Sequence, residues 1–191
     1  MIDKNILLEK LQDNQISGVL NILPENTIVS NDYKVEVSYS NNYLNLYDNN
    51  GKLILNDLPD YIIEFTPELI NKEFNSILVG GLGLGIIPFV VQDFCETVDV
   101  VENNSDIISI NQQLNALKSN VTIINGDIFS FEPTKNYDVI VMDIWYDHIS
   151  QDMMDNLNSI YLPFLNSGGF IYYPINGISK EGNLTFLKWQ N

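Results

Sequence analysis

The chain contains no arginine. All nine basic residues are lysines, set against twenty-five Asp and Glu, for a formal net charge of −16. Without guanidinium groups there is no planar fork for gripping phosphate or carboxylate in two places. A surface this acidic also repels a nucleic-acid backbone. An AT-rich coding sequence would itself deplete arginine, but the field exists whatever its origin. It excludes nucleic acid as a direct partner and suits a cationic or neutral small molecule, or a partner protein. One cysteine, Cys95, rules out a disulfide framework and a cysteine-based zinc site. One histidine, His148, leaves little for a histidine-built metal centre, and no metal is expected. No apolar run approaches the roughly 20 residues that span a bilayer. The first fifteen residues are charged and amphipathic, unlike a signal peptide. The expectation is a cytoplasmic protein without membrane association.

What is present is a change of period. Residues 3–14 predict an amphipathic helix capped by Asp3. From Tyr33 the apolar residues alternate, over 33–39, 43–47 and 52–55. Asn41-Asn42 and Asn49-Asn50-Gly51 stand between these runs as hairpin turns. Residues 1–66 therefore predict a helix and a small antiparallel meander, and Pro67 opens a short helix to about Phe74. Beyond it, near-continuous apolar strands alternate with helices. Strands are predicted at 76–80, 97–102, 121–124, 137–143 and 169–173. Helices are predicted at 85–93, 105–118 (with Ser105 as N-cap) and 151–164. That pattern reads as an α/β domain over 67–191, Rossmann-like and doubly wound, with a mostly parallel sheet covered on both faces. The tail after Asn176 is short, so the C-terminal part is expected to be truncated, with at most one edge strand over 184–187. The edge left open there favours a homodimer.

The stretch Ser76-Ile-Leu-Val-Gly-Gly-Leu-Gly-Leu-Gly-Ile86 is an apolar strand breaking into Gly81, Gly83 and Gly85 before a helix. In an open α/β sheet the loop beyond the first strand is where ligands bind. Glu102, twenty-one residues after Gly81, closes the second strand, where a carboxylate can accept from both hydroxyls of a ribose. Asn103 follows it into the same loop. The acid also rejects a 2′-phosphate, which excludes NADP. Asp127 and Ile128, after the third strand, are placed to accept from an adenine amino group and to cover a ring face. Started at Gly81, the dinucleotide pattern G-x-G-x-x-G fails at Ile86, whereas G-x-G-x-G fits. Glycine loop, ribose acid and adenine acid in this order favour S-adenosylmethionine over NAD. Blander readings stand beside it: strand-end glycines, Glu102 as a helix cap, and Asp127 as a turn residue.

Asp143 ends the fourth strand and Asp147 follows in the same loop, both candidates for catalysis by proton removal or by holding a cation. Trp145 and Tyr146 are candidate pocket walls with π faces for a cation. His148 could add a base beside Asp147. Asp143 as a plain strand-end cap, and His148 as a solvated loop residue, are the bland alternatives.

These motifs resemble the class I methyltransferase fold over residues 76–145. More narrowly they resemble its spermidine synthase branch, whose small N-terminal β-domain corresponds to the region around Gly51-Lys-Leu-Ile-Leu-Asn56. The resemblance implies S-adenosylmethionine, or its decarboxylated form, as cofactor at Gly81, Gly83, Gly85, Glu102 and Asp127, with Asp143 catalytic. It implies either methyl transfer to a small cationic or neutral acceptor, or aminopropyl transfer to a polyamine. Against the branch, Leu84 replaces an acid in the glycine loop. Asp143 and Asp147 are four apart rather than three, and Glu64-Phe-Thr-Pro-Glu-Leu-Ile70 lacks the branch's Tyr-His-Glu segment. A diverged, non-catalytic binding or assembly module is the remaining expectation.

Overall fold

A computed structural model describes Leu20 and residues 26–37, 43–57, 74–144, 150–173, 177–180 and 183–185. Two sheets organise the described chain. The smaller is antiparallel, in the order β1 (Ile28–Val29), β2 (Tyr33–Val37), β3 (Leu44–Asp48) and β4 (Leu53–Asn56). Its period-two segments bury Val35, Leu44 and Leu46. At Asn49-Asn50-Gly51, Asp48 Oδ1 accepts the N–H groups of Asn50 and Lys52 at 2.9 and 2.8 Å, and Gly51 takes φ +77°. Strand β1 is absent from the sequence reading, because two residues are too few to show a period.

The larger sheet has seven strands in the order β11-β10-β9-β8-β5-β6-β7. They are β5 (Phe74–Gly80), β6 (Cys95–Glu102), β7 (Val121–Asn125), β8 (Tyr137–Met142), β9 (Leu165–Tyr173), β10 (Gly177–Lys180) and β11 (Asn183–Thr185). The first five are mutually parallel, and β10 and β11 join antiparallel. The order reverses beside β5, where β6 lies on one side and β8 on the other. Three helices connect the strands: α1 (Ile86–Val91), α2 (Ser105–Leu114) and α3 (Gln151–Tyr161), the last followed by a 3-10 turn at Leu162–Phe164.

Both faces are buried, as continuous apolar strands require. Ile77, Val79, Val139 and Val141 point into a core shared with α1, α2 and the small sheet. Their neighbours Leu78, Ile140 and Met142 point into a second core with Met154, Leu157 and Tyr161 of α3. The small sheet is also bonded to α2. Asp106, buried in the first turn, accepts from Asn31 Nδ2 at 3.0 Å and from the Asp32 N–H at 2.9 Å.

The doubly wound α/β reading therefore holds, with differences at element ends. Helix α2 is capped by Asn104 rather than Ser105, since Asn104 Oδ1 accepts the N–H groups of Asp106 and Ile107. It stops at Leu114, four residues short of expectation, because Asn115 turns left-handed at φ 51°. Strand β9 begins at Leu165, ahead of the expected start at Gly169 and of the preceding Gly168. Gly168 adopts φ +80°, and the pairing register with β8 shifts locally, so the strand passes through them. The C-terminal segment supplies two short strands where one was expected. The expected helix over 3–14, residues 67–73 of the next, the Asn41-Asn42 turn and the domain boundary at 66–67 lie outside the described residues. Phe74 opens β5. Among the described residues no helix is long and apolar enough to cross a membrane.

Candidate functional site

A cleft of about 660 Å³ opens at the carboxyl edge of the parallel strands, beside the β5 switch point. Its floor is the glycine loop. Gly81 leaves β5 at φ +90°, held by its N–H donating to Val101 O at 2.9 Å, while the Asp143 N–H donates to Gly80 O at 2.8 Å. A methyl group on Gly81 would stand 2.1 Å from the Asp143 carbonyl oxygen. Gly83 and Gly85 also take positive φ. A Cβ on Gly85 would lie 2.3 Å from Asn111 Oδ1, and one on Gly83 would lie 3.0 Å from Leu55 Cδ2. Gly81 and Gly85 are thus demanded by close packing of the protein on itself as well as by the turn, while at Gly83 the positive φ is the main constraint, since the end of the Leu55 side chain can give way. Asn111 completes the loop by donating to Gly83 O at 2.7 Å and to Ile107 O at 3.0 Å.

Glu102 is half-buried on the same edge. Its Oε2 accepts the Leu82 N–H at 2.9 Å and its Oε1 accepts the Asn104 N–H at 2.8 Å. One carboxylate therefore ties the glycine loop to the turn before α2, with lone pairs left on both oxygens for a ligand. Exposed Asn103 lies between Glu102 and the capping Asn104 and lines the cleft. Asn104 also donates to the Tyr33 hydroxyl at 3.2 Å, a second tie to the small sheet.

Asp127 and Ile128 lie on the far side of the cleft. Asp127 is exposed, and its Oδ1 accepts the Phe129 N–H at 2.9 Å, so the turn role and a place at the cleft coexist. Ile128 is 5% exposed and packs against Gly80, so most of its surface serves the core. Phe129 lies beside it, half-buried in the cleft wall. The Tyr161 hydroxyl donates to Ile128 O, fixing this segment to α3.

Asp143, just past β8, lines the same cleft. Among the described residues no donor reaches its carboxylate. Burial pushes its pKa from 3.8 up to about 6. Asp143, Glu102 and Asp127 all line the cleft, while no Lys, Arg or His does among the described residues. Strand β4 contributes Leu53, Ile54, Leu55 and Asn56 to the lining, and α3 contributes Met153.

Gly81, Gly83, Gly85, Glu102, Asn103, Asp127, Ile128 and Asp143 are therefore brought together. Trp145, Tyr146, Asp147 and His148 lie outside the described residues. The described residues contain no group of three or more His, Cys, Asp and Glu arranged to hold a metal ion. Sequence reasoning missed Asn104, Asn111 and Leu55. Asn104 had a signal, an amide side chain just before Ser-Asp at a helix start. Asn111 and Leu55 had none, since each meets the loop 28 residues away in sequence.

No family model matches the chain. Among curated proteins, it is 28% identical over 106 residues to an uncharacterized methyltransferase of Bacillus mycoides (strain KBAB4), covering 56% of this chain and 49% of the relative. An uncharacterized methyltransferase of Bacillus cereus (strain 03BB102) is 27% identical over the same length, with the same coverage. The chain thus spans about half the length of the curated relatives it matches. Among solved structures, the N-methyltransferase NodS from Bradyrhizobium japonicum WM9 is 19% identical with a TM-score of 0.48, over 55% of this chain and 60% of that one.

Proposed function

We propose that the cleft binds S-adenosylmethionine and serves methyl transfer to a small acceptor. The observation that carries this reading is the convergence, in one cleft at the switch point, of the glycine loop, Glu102, Asp127 and Asp143. The names of the curated relatives support it.

The residues present suit the group. Glu102, already locked by two backbone donors, would receive the ribose hydroxyls without reorganising. Asp127 would accept from the adenine amino group, with Phe129 and the edge of Ile128 against the ring. The glycine loop would carry the amino-acid portion. Asp143, a half-buried carboxylate without a donor among the described residues, has the charge that a sulfonium or a cationic acceptor requires nearby. When bound, S-adenosylmethionine supplies a methyl group activated by its sulfonium. The protein's own contribution is to position the reactants and to exclude water from the cleft. Asp143 would additionally receive a proton or hold positive charge at the reacting end.

A second reading, polyamine aminopropyl transfer with decarboxylated S-adenosylmethionine, is favoured by two observations. No cation lines the described cleft to pair with the cofactor's carboxylate. The small sheet lining the site also matches the arrangement that the spermidine synthase resemblance implies.

Calorimetric titration with both sulfonium compounds, methylthioadenosine and NAD tests both readings. Micromolar binding of S-adenosylmethionine with none of NAD is the expected result. Tighter binding of the decarboxylated form would move the assignment to aminopropyl transfer, and silence from all four would remove the cofactor assignment.

A further inference from the structure

The lining of this cleft combines two features that together select a chemical class. The first is electrostatic. Three carboxylates line the cleft and no described basic residue offsets them. Glu102 and Asp127 are engaged by backbone N–H groups. Asp143 has no donor among the described residues. The second is apolar. Leu53 and Met153, 44% and 38% exposed, belong to the few large apolar side chains left open to solvent among the described residues. Both line the cleft, as do half-buried Leu55 and Ile144. Exposed apolar side chains gathered at a pocket mark a surface that a ligand covers.

Resting on the cofactor reading above, we propose that the acceptor is a small amine with an apolar body, its nitrogen held by Asp143 and its hydrocarbon part against Leu53, Leu55, Ile144 and Met153. Carboxylate, phosphate, thiolate and enolate acceptors attack as anions, and three acids with no cation beside them among the described residues oppose their entry. An alcohol is too weak an acid to be deprotonated by a carboxylate. An amine meets both conditions. It enters as an ammonium that the acidic cleft attracts, and gives up one proton to the Asp143 carboxylate, which returns it to water. The nitrogen lone pair then forms the bond to the methyl carbon. The carbon–sulfur bond breaks with its electron pair going to sulfur, and the positive charge passes from sulfur to nitrogen. Asp143 stands where that charge arrives.

The test uses hexylamine, hexanol and hexanoate, of equal chain length, and methylamine, which lacks the apolar tail. Binding is measured by calorimetry on the full chain saturated with S-adenosylhomocysteine, so that no turnover is needed. Label transfer from S-adenosylmethionine is followed separately. Hexylamine should bind at least about tenfold tighter than hexanol and methylamine, and hexanoate should not bind. Asp143→Asn should remove about tenfold of hexylamine affinity and leave hexanol unchanged, with an unaltered circular dichroism spectrum confirming the fold. Methyl label should appear on the amine alone. Equal binding of hexanol, methylation of hexanoate, no binding of hexylamine, or an Asp143→Asn protein with undiminished amine affinity would each overturn the amine assignment. Failure of S-adenosylhomocysteine to bind would instead overturn the cofactor reading beneath it.

Discussion

Glu102 Oε2 lies 2.9 Å from the Leu82 N–H, so the acid that closes the second strand of the parallel unit also restrains the glycine loop leaving the first. With Oε1 on the Asn104 N–H, one side chain sets the spacing between the two loops that frame the cleft. Replacing Glu102 by Gln keeps the size but turns an N–H₂ group toward one of two backbone donors. Stability should fall by about 1–3 kcal/mol, and S-adenosylmethionine affinity by about tenfold or more. Urea denaturation and calorimetric titration of the same variant check both.

Two glycines with similar backbone angles should respond very differently to alanine. Gly51, at φ +77°, has open space around its missing Cβ. Gly51→Ala should cost only the conformational penalty of about 1 kcal/mol. Gly81, at φ +90°, would drive its new methyl into the Asp143 backbone carbonyl. Gly81→Ala should cost more than about 3 kcal/mol or prevent folding, because backbone on both sides resists moving. Chemical denaturation of the pair measures the difference, and equal losses would contradict the packing described.

Asp143 links the site to pH. Its carboxyl titrates at about 6 in the folded protein against 3.8 ordinarily, with burial as the cause. The fold therefore favours the protonated form, and stability is lost as pH rises from about 4 through about 6. Asp143→Asn removes that penalty. The variant should be more stable than the parent near pH 8, by up to about 3 kcal/mol. The gain should shrink below about pH 6 and vanish near pH 4. Thermal melts across this range test it, and a gain that persisted at the acid end would disprove the link.

Asp106 carries the bonds from α2 to Asn31 and Asp32. Asp106→Ala should expose those donors and loosen residues 26–37 while leaving β5 and β8 protected. A loss of about 1–3 kcal/mol is expected. Hydrogen exchange should show faster exchange at Asp32 before any change in the parallel strands.

The parallel sheet was legible because its signal is local. Runs such as Ile77-Leu-Val79 and Val139-Ile-Val141 are apolar at every position, as only a strand covered on both faces requires. The glycine loop, Glu102, Asp127 and Asp143 were legible for a related reason: in a parallel sheet every strand end arrives at the same edge, so chain order alone gathers them. The bonds among them were less visible. Ser105 reads as the cap because it begins the helical pattern, yet Asn104 one residue earlier has the extended backbone that directs its side chain onto the first N–H groups. The sequence pattern starts the last parallel strand only at Gly169, whereas β9 begins at Leu165 and runs through Gly168 where its register with β8 shifts.

By itself, the sequence determined the fold class, the edge of the sheet where chemistry belongs, and the acidic field around it, all of which follow from composition, period and strand order. Tertiary structure alone decided that Leu55 closes over Gly83, that Asn111 holds its carbonyl, and that Asp143 stands half-buried without a donor among the described residues. Those are contacts across tens of residues, set by how two sheets and two helices pack, and no local pattern of residues encodes such a distance.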